Sequence, residues 1–147
     1  MPNTSTPAQY ILILIDMAES QGCTRDSLVA GTSLATSGIS GIGARIDDAD
    51  FVQLVANAQR LTGDPALGLK LGLRLNLSAH AILGQAFITC RDLAQVMDLL
   101  LKYHHLLASG IQLELETIGE QCALTLVSAP SDVSVEFEYE LLYGAFI

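Results

Sequence analysis

The stretch LTGDPALGLKLGLRLNL, residues 61–77, constrains the fold more than any other. Its leucines at 67, 69, 71, 73, 75 and 77 alternate strictly, which is the period of a half-buried strand. Yet the run opens on Gly63, Asp64 and Pro65. Glycine suits the position just past a helix end, aspartate caps a helix through its side-chain oxygen, and proline fits the first helical turn, where no N–H is needed. These local signals predict one helix stopping at Gly63 and another starting at Pro65. On that second helix Leu67, Leu71 and Leu75 share one face, and Leu69 and Leu73 share another. Such a two-faced helix is suited to lie sandwiched between neighbours.

The same logic parses the rest of the chain. Residues 1–8 read as a disordered lead. Residues 9–21 form a nearly all-apolar helix marked by Asp16 and Glu19, with Gly22 to end it. Thr24 caps a short helix to Ala30, and residues 31–46 are a Gly/Ser/Thr-rich connector without a sustained period. Asp47, with Asp50 three residues on, opens a helix striped by Phe51, Leu54, Val55, Ala58 and Leu61. Ser78 caps a further helix that would bury Ala79, Ile82, Leu83, Ala86 and Phe87. Asp92 and Gln95 make a capping-box-like start to the next, striped by Leu93, Val96, Met97, Leu100 and His104 and ended by Gly110. The period then changes. IQLELET alternates with Ile111, Leu113 and Leu115 inward, IGEQ is a turn, and CALTLVS is a second strand, so the two form an antiparallel hairpin.

Composition narrows the function. The chain has 147 residues, of which half are hydrophobic and 16% charged, with a mean hydropathy of +0.43. This is enough for one domain with a real core, with apolar surface left over for a partner or a missing segment to cover. The net charge is −9 and the seven Lys and Arg are scattered, so this segment is not expected to touch nucleic acid, which requires a basic face. The apolar run at 10–15 is too short to span a bilayer, and the start has no secretory pattern. No membrane association and a cytoplasmic setting are expected. Cys23, Cys90 and Cys122 have no short pairing and are expected as reduced, buried thiols acting as small hydrophobes.

Few residues suggest chemistry. His104 and His105 are adjacent, hence about 100° apart on a helix, and cannot share the face a metal needs. There is no G-x-S-x-G, and GISGIG neither follows a strand nor opens a helix. No catalytic residue, metal site or cofactor is expected. Glu114, Glu116, Glu136, Glu138 and Glu140 read as a solvated face. The candidate ligand-binding residues are His80, Tyr103 and His104, each with a competing structural reading. His104 continues a core stripe, and the Tyr103 hydroxyl can as well reach the surface as a ligand. Any pocket is expected between the core helices and the hairpin, where apolar walls meet a few polar groups.

Residues 61–72 (LTGDPALGLKLG), 82–86, 92–105 and 110–116, in this order, resemble the N-terminal effector domain of AraC/XylS-type transcriptional regulators, of the subgroup labelled arabinose-binding. A weaker match runs back to Tyr10. The resemblance implies a bacterial cytoplasmic regulator whose N-terminal domain senses a small-molecule effector or mediates dimer contacts. DNA and RNA polymerase would be partners only of the full-length protein, through a C-terminal double helix-turn-helix. The expectation is that residues 9–147 are an effector domain truncated at its C-terminal end, without that DNA-binding domain. The resemblance also implies a long helix after the second strand. There the sequence again conflicts. Val133, Val135, Phe137, Tyr139 and Leu141 alternate like a strand, whereas Phe137, Leu141 and Ala145 share a helix face behind a cap at Asp132. Helix from about Ser134 is the expectation. The fold class is therefore α+β, mainly helical, with an antiparallel hairpin or small sheet after the helices. The function is effector sensing, dimerisation or both for a transcription regulator. The alternatives are a ligand-free helical dimerisation module and, behind it, an enzyme fragment.

Overall fold

The computed structural model describes residues 5–40, 44–107, 112–128 and 135–146. Part of the expected disordered lead is ordered. Ser5–Pro7 (β1) pairs antiparallel with Arg45–Asp47 (β2), Thr6 opposite Ile46. Thr6 is buried and its hydroxyl donates to Asp48 Oδ1 at 2.9 Å. Arg45 Nε donates to Ser5 Oγ at 2.8 Å. A three-residue strand has no period to read, and its partners lie far along the chain.

Strand β1 leads into α1 (Ala8–Ser20), whose buried residues Tyr10, Ile11, Leu14, Ile15, Met17 and Ala18 form a wide apolar face. Next come α2 (Arg25–Leu28) and α3 (Leu34–Ser37). The aperiodic connector thus contains a helical turn and β2. Helix α4 (Asp48–Thr62) buries Phe51, Leu54, Val55 and Ala58 as expected. Asp47 stands at its N-cap but makes no side-chain capping bond, and Asp50 instead accepts the Ser33 backbone N–H at 2.9 Å. The helix ends on Gly63 at φ +61°, a left-handed conformation that costs glycine nothing.

The leucine run of residues 61–77 resolves to helix over Leu67–Arg74. Asp64 Oδ1 accepts the Ala66 N–H at 3.1 Å, and α5 (Leu67–Arg74) starts two residues after Pro65. Leu67, Leu71 and Leu75 are buried while Leu73 is 56% exposed, so the alternation was incidental. Helix α5 lies between α1 and α8 (Val135–Phe146). The contact with α8 is backbone against backbone: a Cβ on Gly72 would sit 2.2 Å from the Leu141 carbonyl oxygen, and one on Gly144 2.4 Å from that of Leu69. Helix α8 buries Phe137 and Leu141 and packs Ala145 against the core. Helix formers therefore win over alternation from Val135 onward. The expected cap Asp132, with Val133 and Ser134, lies outside the described residues.

Between α5 and α8 come a 3-10 turn (Leu77–His80), α6 (Ala81–Ile88), α7 (Leu93–Tyr103), a second 3-10 turn (His104–Leu106), β3 (Gln112–Ile118) and β4 (Gln121–Ser128). His80 rather than Ser78 occupies the N-cap position of α6, and Asn76 organises the turn before it by accepting the Ala79 N–H at 3.2 Å. The α7 cap is as expected. Asp92 Oδ1 accepts the Gln95 N–H at 2.9 Å, and Gln95 Oε1 accepts the Arg91 N–H at 3.0 Å. In the hairpin Leu113 faces Leu126 and Leu115 faces Leu124, with Gln112, Glu114 and Glu116 exposed. Gly110 and Ile111 lie outside the described residues.

Three expectations about burial need correction. Leu83 and Leu100 are buried, but Ile82 is 79% and Leu93 70% exposed, because among the described residues no layer covers the faces of α6 and α7 that carry them. The cysteines are not buried either: Cys122 is exposed, and Cys23 and Cys90 are intermediate. Of the glutamates assigned to a solvated face, Glu138 and Glu140 are partly buried where α8 packs. Among the described residues no helix is long and apolar enough to cross a membrane.

Candidate functional site

A cavity of about 250 Å³ lies where α7 and the hairpin meet α1, α8 and the first 3-10 turn. Each wall follows from local sequence. The α7 stripe presents Val96, Met97, Leu100 and, one turn on, His104. Leu113 comes from the inward side of β3, and Leu141, Leu142 and Ala145 from α8. Tyr10 reaches it from α1, His80 from the end of the 3-10 turn, and Phe87 from α6.

Among the described residues three polar side chains line these apolar walls. The Tyr10 hydroxyl and His80 Nδ1 are 2.6 Å apart, with the rings edge to face at a centroid distance of 5.7 Å. Burial pushes the Tyr10 hydroxyl well above its ordinary value, and the charge of Arg45 offsets this only in part. Burial also pulls His80 below its ordinary value of 6.5. Both groups are thus held in their neutral forms around neutral pH, since desolvation penalises the charged state. His104 Nδ1 is 2.9 Å from the Leu101 carbonyl. A carbonyl only accepts, so Nδ1 carries the proton, and in the neutral ring Nε2 is an acceptor.

Of the three candidates read from sequence, His80 and His104 reach the cavity and Tyr103 does not. Tyr103 is half-buried, with Lys102 Nζ 5.2 Å from its ring centre. His105 is exposed, its ring edge-on to that of His104, as the turn between adjacent helical positions dictates. The residue that sequence reasoning missed is Tyr10. Its signal was present: a phenol within an otherwise aliphatic buried face needs a hydrogen-bond partner. Among the described residues no three His, Cys, Asp or Glu side chains converge on a metal-sized site, and Cys90 donates its thiol to the Ala86 carbonyl at 3.4 Å.

Comparison with known proteins places the chain among transcription regulators. The family model of the arabinose-binding, N-terminal domain of AraC transcription regulators matches residues 22–147. An ornithine utilization regulator of Pseudomonas aeruginosa is 38% identical over 109 residues, which is 74% of this chain and 32% of that protein. HTH-type transcriptional regulators of Mycobacterium bovis and Mycobacterium tuberculosis are each 22% identical over 130 residues, 86% of this chain and 38% of theirs. The chain spans about a third of the length of these relatives. It belongs to the family of arabinose-binding-type N-terminal domains of AraC transcription regulators.

Proposed function

We propose that this domain senses a small-molecule effector in the cavity between α7, the hairpin and α8, and so controls DNA binding by another domain of a full-length regulator. The observation that carries this reading is a partly open apolar cavity holding a few polar groups in a chain of a regulator family. The mechanism is linkage: a ligand that binds one arrangement of the domain more tightly shifts the population toward it. His80 and His104 are ligand-contacting residues in this reading, joined by Tyr10. The reading includes no catalytic role. The relative named for ornithine utilization does not lend this site its ligand, because no carboxylate or cation stands among the described lining residues to pair with an amino acid.

The test fills the cavity. Met97→Trp in the full-length regulator is expected to abolish the difference in target-promoter transcription between inducing and non-inducing conditions, with promoter binding retained. An unchanged response would refute sensing at this site.

A second role, self-association, is favoured by the exposed Ile82, Ile88 and Leu93 on α6 and at the start of α7. Apolar surface of that kind suits a second copy of the chain. Light scattering of the isolated chain should show concentration-dependent dimers, weakened by Ile82→Glu. Only monomer at high concentration would sink this role. With a net charge of −9 the isolated chain should not bind DNA, and a cytoplasmic location fits the whole reading.

A further inference from the structure

We propose that the effector is an uncharged, mainly hydrocarbon molecule, about the size of a substituted single ring or a short aliphatic chain, with one hydroxyl or carbonyl that hydrogen-bonds to the Tyr10–His80 pair. This rests on the sensing role proposed above and names the chemical class of its ligand.

Size sets the first limit. A cavity of about 150 Å³ takes benzene, and drug-sized ligands occupy about 300–1,000 Å³. At about 250 Å³ there is room for one ring with a substituent. Charge sets the second. Tyr10, His80 and His104 are the only polar residues among the described ones that line the cavity, and the rest are aliphatic, Met97 or Phe87. An ammonium or carboxylate inside would be desolvated without a counterion. Arg45, whose charge Tyr10 feels, is exposed. It is already engaged by Ser5 Oγ and by the carbonyls of Ser5 and Leu106. The net charge of −9 further disfavours an approaching anion.

The polar pair explains the single functional group. If Tyr10 donates to His80 Nδ1, the phenolic oxygen keeps an acceptor site and His80 keeps an Nε2–H donor. If His80 donates, Tyr10 keeps its O–H and His80 an Nε2 acceptor. Either tautomer leaves one donor and one acceptor, both from neutral groups. A hydroxyl complements both, and a carbonyl complements the donor.

The test is a calorimetric titration of the purified chain at about pH 7.5 with four probes sharing one ring: benzyl alcohol, toluene, benzylamine and benzoate. Benzyl alcohol should bind saturably and more tightly than toluene, with the two ions about 100-fold weaker or undetectable. Tyr10→Phe should weaken benzyl alcohol about 5- to 10-fold and leave toluene unchanged. Met97→Trp should remove binding of both. An ion binding as well as the alcohol, no binding of the alcohol, or alcohol affinity indifferent to both substitutions would overturn the proposal. The comparison among probes uses the unaltered chain, so a variant that fails to fold does not blunt it. Should an ion bind and Met97→Trp remove it, the site survives as an effector pocket and only the ligand class falls. The sensing role itself falls only by an unchanged promoter response in the full-length regulator.

Discussion

Residues 8–79 together with α8, and residues 81–128, are built to different standards. Among the described residues the first region supplies the connected core: Ile11, Leu14, Ile15, Leu54, Leu71 and Phe137 are each no more than 1% exposed. The second contributes Leu83 and Leu100 as its buried hydrophobics, while Ile82, Ile88, Leu93 and Ile118 are at least 60% exposed. Both regions have similar apolar sequence, so hydrophobicity alone does not decide burial; the presence of a neighbouring layer does. The cavity lies at the seam, with one wall from α1 and α8, which belong to the buried core, and the other from α7 and β3, which are less buried. A ligand there would add contacts chiefly to the region that lacks them. That is the arrangement in which binding shifts a conformational population, since weakly packed segments open at low cost.

The sharpest way to break this comparison is to truncate a leucine in each region. Leu71→Ala, at a fully buried site in α5, should cost about 2–5 kcal/mol. Leu93→Ala, 70% exposed at the start of α7, should stay within about 0.5 kcal/mol. Urea denaturation of both variants measures the difference. Equal losses would mean that the second region is packed as tightly as the first.

A somewhat smaller effect is expected where α5 meets α8. The Cβ of Gly72→Ala would meet the Leu141 carbonyl at 2.2 Å and the Ala145 nitrogen at 2.8 Å. Backbone atoms cannot rotate aside, so the helices must separate. This overpacking should cost about 1–3 kcal/mol, although alanine is the better helix former. Thermal unfolding showing Gly72→Ala to be neutral would mean the helices have slack there, and that the first region is less tightly built than its burial suggests.

How legible this was from sequence depends on the kind of signal. Caps were informative: Gly63, Asp64 and Asp92 marked helix boundaries correctly to within two residues, and they outweighed the leucine alternation at 67–77. The helix at Val135–Phe146 was legible from its helix-forming residues together with the resemblance, which implies a long helix after the second strand. Strands β1 and β2 were not, because three-residue strands are specified by distant partners such as Asp48 and Arg45. Burial on α6 and α7 was misjudged at Ile82 and Leu93, since a stripe names a face without saying whether anything covers it. The cavity histidines could be read off one sequence as candidates. Their convergence with Tyr10, 70 residues from His80, could not, because only the packed helices bring them together.

The smallest expected effect is a pH dependence seated at the seam. His80 is held below its ordinary value of 6.5 by burial, so the unfolded chain binds its proton more readily than the folded one. Stability from the neutral ring is then complete above about pH 6.5 and is lost as pH falls toward the lowered folded value. Tyr10 runs the other way. Its raised value keeps the phenol's contribution intact below pH 10, with loss only above it. Asp64, held low chiefly by the hydrogen bond from Lys70, titrates below 3.8 and stays out of the window. Between about pH 7.5 and pH 5 the chain should therefore lose stability, and His80→Gln, which cannot titrate, should lose less over the same range. Hydrogen exchange sharpens the comparison: acidification should raise exchange in residues 77–107, after correction for the intrinsic rate, before it does so in α4 and α5. A wild-type chain and a His80→Gln variant with identical pH profiles would show that the Tyr10–His80 contact does not link the two regions.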